Sequence, residues 1–416
     1  MASMKDSGIE WIGDIPEDWS VCRLAKTGAY INGNAFKPED WADEGLPIIR
    51  IQDLSGSNDS PNYFKGQAHP KYLIHNGDVL VSWAATLAAY RWTGGDAWLN
   101  QHIFKVVPSK SMDTTYLFYL LAASMEHLDS GDKHGIMMQH LTLRMFNHCL
   151  VPLPSYVQQR AIGRALERDC SQIDATSNTL EAQISTLERY RASVIHEAVT
   201  RGLDPTAPTK PSNVDWIGEI PQGWDIKPFK RVASVVANLV EPSNYPDLIE
   251  IDPENIESGT GRLTDIRTVE EVGAISAKQL FSKGQIIYSK IRPALNKVVI
   301  APEDGLCSAD MYPIATQHNV RWLLYVMRSD IFVNQTSLIS SRVAMPKINV
   351  DQLGALKIPV PLIDEQAVIA DYLDTRTAAI DAVIATKRKQ LDVLKQRRQS
   401  LIYEYVTGKR RVGEEG

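Results

Sequence analysis

The sequence predicts a mixed α/β protein in which two small globular segments alternate with two long helices that pair with each other. Three observations carry this reading. Residues 151–201 recur without a gap 207 positions further on. Both copies hold an apolar heptad. Each is preceded by short apolar runs cut by turn signals.

The repeat is read residue by residue. Val151-Pro152-Leu153-Pro154 returns as Ile358-Pro359-Val360-Pro361, Gln159 as Gln366, Ile173-Asp174-Ala175 as Ile380-Asp381-Ala382, and Val199-Thr200 as Val406-Thr407. A register kept this long implies an internal duplication. The prolines hold the lead-in extended, and Ser155 with Gln158 fits a capping box. The second copy has Leu362 there, with Asp364 and Glu365 favouring the helix dipole. Leu166, Ile173, Leu180, Leu187 and Val194 then recur every seven residues. Leu373, Ile380, Leu394 and Leu401 do the same in the second copy, with Lys387 as the polar break. Such a seam asks for a partner helix, and the other copy supplies one. Arg191 and Arg398 occupy equivalent seam positions, which predicts a third or fourth helix carrying acidic groups nearby.

Four segments follow: a globular segment at 1–150, a long helix at 151–202, a Pro-rich linker with a second globular segment at 203–357, and a second long helix with a basic tail at 358–416. Each globular segment opens on one motif, with Trp11-Ile12-Gly13-Asp14-Ile15-Pro16 and Trp19 matching Trp216-Ile217-Gly218-Glu219-Ile220-Pro221 and Trp224. All four tryptophans read as packing residues. Runs such as Ile48-Ile49 and Val79-Leu80-Val81, separated by Asn32-Gly33, Asn76-Gly77 and Gly94-Gly95, predict short strands. Residues 115–128 have helical spacing. Ser82 and Ser289 end matching strands, while 86–100 and 293–307 diverge, as loops of two readers aimed at different targets would. Residues 203–212, with Pro205, Pro208 and Pro211, read as a stiff linker.

At 416 residues the chain exceeds one ordinary core. Its 44% apolar and 23% charged content is that of a soluble protein. No run reaches membrane-spanning length, and the N-terminus has no apolar leader core. The four scattered cysteines suggest neither a disulfide framework nor a zinc site, and a cytoplasmic location fits them. The net charge of −6 opposes nucleic-acid binding unless basic groups gather on one face or a partner lends charge. The imbalance lies early: before Val151 there are twelve Lys/Arg against seventeen Asp/Glu, but from Ile358 onward ten against nine.

Catalytic motifs are missing. A methyltransferase would show an (Asn/Asp)-Pro-Pro-(Tyr/Phe) loop, which Asp252-Pro253-Glu254-Asn255 fails to match, and no phosphate-binding loop occurs. A nuclease would cluster carboxylates with a lysine, and Asp247, Glu250 and Asp252 have none beside them in sequence. His134, His140 and His148 fit no metal frame. No catalytic or metal site is expected.

Taken together, the Trp-Ile-Gly-(Asp/Glu)-Ile-Pro…Trp openings, the Gly-x-(Val/Ile)-(Leu/Ile)-x-Ser strands and the Pro-x-Pro…(Gln/Glu)-Gln lead-ins resemble the DNA-sequence-specificity (S) subunits of Type I restriction–modification systems. The likeness spans essentially the whole chain, with Gln158 departing from the more usual Glu. It implies two target-recognition domains and a pair of long helices packed as an antiparallel coiled coil. It implies a non-catalytic subunit that reads an asymmetric bipartite site on double-stranded DNA, with the helices setting the spacer. The implied partners are two modification (methyltransferase) subunits, which bring S-adenosylmethionine, and restriction (translocase/endonuclease) subunits, all on the nucleoid of a bacterium or archaeon. A standalone two-headed DNA-binding regulator is the alternative.

Polar and planar groups beside the repeated strands are the candidates for DNA contact. In the first domain these are Asn34, Lys37, Arg50, Gln52, Trp83, Thr86, Tyr90, Arg91, His134, Gln139 and His140. In the second they are Asn238, Glu250, Arg262, Lys290, Arg292, Asn296, Lys297, Arg342 and Lys347, with Lys290-x-Arg292 and Asn296-Lys297 as the densest cluster. The partner-helix interface is assigned to the heptad residues with Arg191 and Arg398.

Overall fold

The computed structural model describes residues 3–56, 60–84, 86–130, 146, 148–340 and 346–412. Its contacts divide the chain into two compact units, residues 1–180 with 389–416 and residues 181–388. Each unit holds a globular segment and part of both long helices, so the division cuts across the four segments read from the sequence.

In the first unit Gly28–Asn32, Ile103–Pro108, Val79–Ser82 and Ala88–Arg91 form an antiparallel sheet in that order. Val79–Ser82 is buried throughout because both of its faces are covered. Side chains alternate along a strand, so Val79 and Val81 enter a core with Tyr116, Leu117 and Leu120 of the helix Thr114–Ser130. Leu80 points the other way, toward Ile49, Ile74 and Leu99 of a second sheet. That sheet runs Asn62–Phe64, Leu46–Ile49, Ala97–Leu99, Leu73–Ile74, and its central pair is parallel. The predicted Asn32-Gly33 turn is instead a close approach: a Cβ on Gly33 would lie 2.1 Å from the Asn100 carbonyl oxygen.

The second unit repeats the plan. Ala233–Val235, Met311–Thr316, Ile286–Ser289 and Val298–Ile300 make the antiparallel sheet. Ile286 and Tyr288 face the core around Trp322, while Ile287 faces Ile251, Phe281 and Cys307. The second sheet has five strands, with Ile249–Ile251 parallel to Gly305–Cys307 at its heart. Two expectations fail here. Residues 203–212 are not a simple linker, because Thr209–Pro211 pairs with Glu219–Pro221. Trp216 is 47% exposed, whereas Trp19 and Trp224 are buried; Trp11 stacks on His127 at 4.9 Å.

The long helices are Tyr156–Arg201 and Ile363–Val406. The capping box forms as expected: the Gln158 amide N–H donates to Ser155 Oγ, and the Ser155 N–H donates to Gln158 Oε1 at 3.0 Å. One turn on, the repeated glutamines are buried, and a buried carboxamide must satisfy its donors and acceptor. Gln159 Oε1 accepts the Asp113 N–H, at the start of the helix Thr114–Ser130, while its Nε2 donates to the Pro154 and Ser111 carbonyls. Gln366 Oε1 likewise accepts the N–H of Asn319, the cap of the helix Val320–Arg328, and its Nε2 donates to the Pro361 carbonyl. Each glutamine thus ties a long helix to the start of its domain's own helix.

Within the first unit Leu166 and Cys170 are buried with Leu401 and Tyr405, Ile173 packs at their edge, and Leu180 and Leu394 are half-buried. Asp169 meets the Tyr405 hydroxyl, and five residues on Asp174 meets Arg398 at 2.9 Å. One helix climbs in number as the other falls, so the two are antiparallel. Within the second unit Leu373, Ile380 and Ile384 are buried and Leu187 and Val194 half-buried. Lys387 donates to Gln183 at 2.6 Å, and Arg191 Nε lies 2.9 Å from Asp381. The two arginine–aspartate pairs are each other's image, since Asp381 is the copy of Asp174 and Arg398 the copy of Arg191. The prediction that a further helix supplies the acids is therefore corrected. Each arginine is neutralised by the opposite long helix.

Because the pairs are reciprocal, they can be exchanged. Arg398→Asp should destabilise the first unit by roughly 1 kcal/mol, the scale of a partly exposed pair. Adding Asp174→Arg should restore most of that in urea unfolding. A double variant as weak as the single would mean Arg398 acts through some other contact.

Candidate nucleic-acid interface

The loop after the buried strand separates the two domains chemically. In the first unit Trp83 follows Ser82. Its indole N–H donates to Asn32 Oδ1 at 3.1 Å, and its ring lies edge-on to His102. At the equivalent place in the second unit stands Lys290, whose Nζ donates to the Ala309 carbonyl at 2.7 Å, 3.6 Å from Asp310. Lys347 reaches the same carboxylate at 3.2 Å. Both lysines border an open groove of about 900 Å³ that also meets Tyr312, Asn349 and Gln352.

The backbone beyond Lys290 is constrained. Arg292 and Asn296 both adopt left-handed φ, 46° and 44°, on either side of the turn Pro293–Leu295. For residues with a Cβ this costs roughly 1–2 kcal/mol each, so the surroundings must impose it. They do so through bonds from Arg292 N to the Pro346 carbonyl, from Ile348 N to the Lys290 carbonyl and from Ser289 Oγ to the Ile291 carbonyl. Arg292 is exposed, and its guanidinium has no partner among the described residues. Asn296 is buried, 6% exposed, and its Oδ1 has no hydrogen-bond donor there. Lys297 is spent on the Pro253 carbonyl at 2.6 Å. Of the densest predicted cluster, Arg292 alone offers an unengaged cation.

Several other candidates are held inside their own unit. Glu250 is buried, 3% exposed, and ion-paired with Lys278, which also lies 3.3 Å from Asp252. Here is the lysine that the sequence did not place beside the carboxylates. Burial works against its charge, yet the Glu250 and Asp252 carboxylates prevail and raise its pKa. Arg91 pairs with Glu167 on the first long helix at 2.5 Å and covers the Phe118 ring. Arg262 pairs with Glu257. Arg50 stacks over Trp41 at 4.4 Å, and Tyr90 packs on the second-sheet core. The backbone of Asn34 pairs with the strand end near Asn100. Lys37, Gln52, Thr86 and Asn238 are exposed, with Lys37 near Glu39. His134, Gln139, His140 and Arg342 lie outside the described residues.

Among the described residues no cluster of His, Cys, Asp and Glu could hold a metal, and no helix is long and apolar enough to cross a membrane. Burial pushes the Cys149 thiol up to about 11 and that of Cys307 to about 12, so neither is a ready thiolate.

The sequence profile described as "Type I restriction modification DNA specificity domain" matches residues 16–188 and 240–393. That is well over half of the chain. The chain belongs to the Type I restriction–modification DNA-specificity family. It is 29% identical over 387 residues to the EcoDI specificity subunit of Escherichia coli, covering 89% of this chain and 84% of that one. It is 25% identical over 422 residues to the MjaVIII specificity subunit of Methanocaldococcus jannaschii, covering 96% and 94%. A solved structure from work on complex assembly in a type I R-M system superposes with a TM-score of 0.61 at 17% identity. The match covers 95% of this chain and 99% of that one, a likeness of fold.

In this specificity chain the Glu250–Lys278 pair is an internal support of the second domain. Glu250→Gln leaves the Lys278 ammonium with Asp252 as its remaining carboxylate and should cost about 1–3 kcal/mol of that unit's stability. The double change Glu250→Met with Lys278→Met should recover most of it, as read by chemical denaturation. Wild-type stability in Glu250→Gln would contradict the supporting role.

Proposed function

We propose that this protein reads an asymmetric bipartite DNA site, one half with each globular domain, while the antiparallel helices set the spacer. Modification subunits docked along the helices carry S-adenosylmethionine and the methyl transfer to adenine, and restriction subunits join that assembly. The subunit itself contributes recognition and no catalysis.

The observation that carries the reading is one frame built twice with different chemistry at the same loop. Trp83 closes that loop with an indole tied to Asn32, while in its counterpart Lys290 lies half-buried against Asp310 and Arg292 presents exposed positive charge. Equal frames with unequal loops suit two unequal half-sites. The helices are 46 and 44 residues long. At 1.5 Å per residue that is roughly 70 Å, enough for readers a turn or more of DNA apart. The net charge of −6 fits a reader that shares its DNA-facing surface with partner subunits.

The test is N6-methyladenine mapping in a methylation-free bacterium expressing this chain with its modification subunit. A two-part asymmetric motif that vanishes when this chain is omitted is expected. A competent modification subunit that marks no such motif would overturn the proposal and favour a standalone regulator.

A further inference from the structure

Arg292 is the one cation of the Lys290–Lys297 cluster whose charge is left unspent among the described residues. Lys290 and Lys347 share Asp310, and Lys297 is taken by the Pro253 carbonyl. The loop nevertheless holds Arg292 firmly. Its backbone is left-handed, its N–H is bonded to the Pro346 carbonyl, its carbonyl accepts the Leu295 N–H, and the next residue, Pro293, is buried. Beside it Ile291 bridges to Lys347. Backbone strain held in this way gathers at ligand-binding loops, and here it carries an exposed guanidinium. The guanidinium is planar and forked, and it matches two acceptors side by side better than a point charge does. In the major groove that pattern, O6 with N7, belongs to guanine.

We infer that Arg292 reads a guanine, through O6 and N7, in the half-site of the second domain. This rests on the proposed bipartite reading and deepens it to one residue and one base. The first domain has Ala85 at the position 207 before Arg292, a residue that cannot make this contact.

The experiment maps N6-methyladenine for the wild-type, R292K and R292Q chains, each expressed with the modification subunit. The wild type should mark a motif with guanine in one half. R292Q should lose the preference at that single position while the other half and the spacer stay unchanged, and R292K should keep part of it. Should R292Q mark nothing, the purified complexes are compared on duplexes carrying guanine or 7-deazaguanine at that position. The wild type should bind the analogue about tenfold more weakly, and R292Q should bind both alike. An R292Q motif identical to the wild type's, or an equal 7-deazaguanine penalty in both proteins, overturns the assignment. A wild-type chain that marks no bipartite motif would instead overturn the reading on which it rests.

Discussion

The reciprocal pairs Arg191–Asp381 and Arg398–Asp174 are the constraint on which the architecture turns. Heptad apolar residues alone would let two helices slide or pair in either direction. An arginine placed on the seam cannot be left without a counter-charge. Its copy and its acid's copy, 207 positions on, meet the same need only when the helices run antiparallel in one register. Duplication of one helix thereby produced its own complementary partner. Gln159 and Gln366 carry that register into the domains, since each fixes a long helix to the first turn of a domain helix.

Much of this was legible because duplication prints itself in the chain. The seam, the capping box, the strands ending at Ser82 and Ser289 and the helix after residue 114 all follow from periodicity and offset. Partners of charged groups did not follow. Arg191 pointed to acids on another helix because heptad spacing does not say which residues of the facing helix stand opposite. Asp174 and Asp381 were in view, but their pairing depends on the crossing register. Glu250 looked like a loop polar because Lys278, the ion that buries it, is 28 positions away in sequence. The partner of Arg91 was hidden in the same way, since Glu167 lies on the long helix. Repeat identity did not guarantee repeat burial either: Trp11 finds His127 and Tyr403, whereas Trp216 stays exposed.

The two domains also show how a shared frame is made to differ. Both bury the central strand on two faces, so those positions tolerate little change. The loop that follows is free to vary, and it has become an indole brace in one copy and a cationic turn in the other. That turn tolerates two left-handed non-glycine residues because bonds to Pro346 and Ile348 hold it. That loop can then differ between the copies without disturbing the core or the helix seam.

On the proposed function, the helix pair measures the distance between the two half-sites. One heptad inserted into each long helix, near the hydrogen-bonded Gln183 and Lys387, keeps the seam in phase and lengthens it by roughly 10 Å. N6-methyladenine mapping of this variant should return both half-sites unchanged and a spacer longer by about three base pairs, at 3.4 Å per pair. An unchanged spacer, or altered half-sites, would contradict the account.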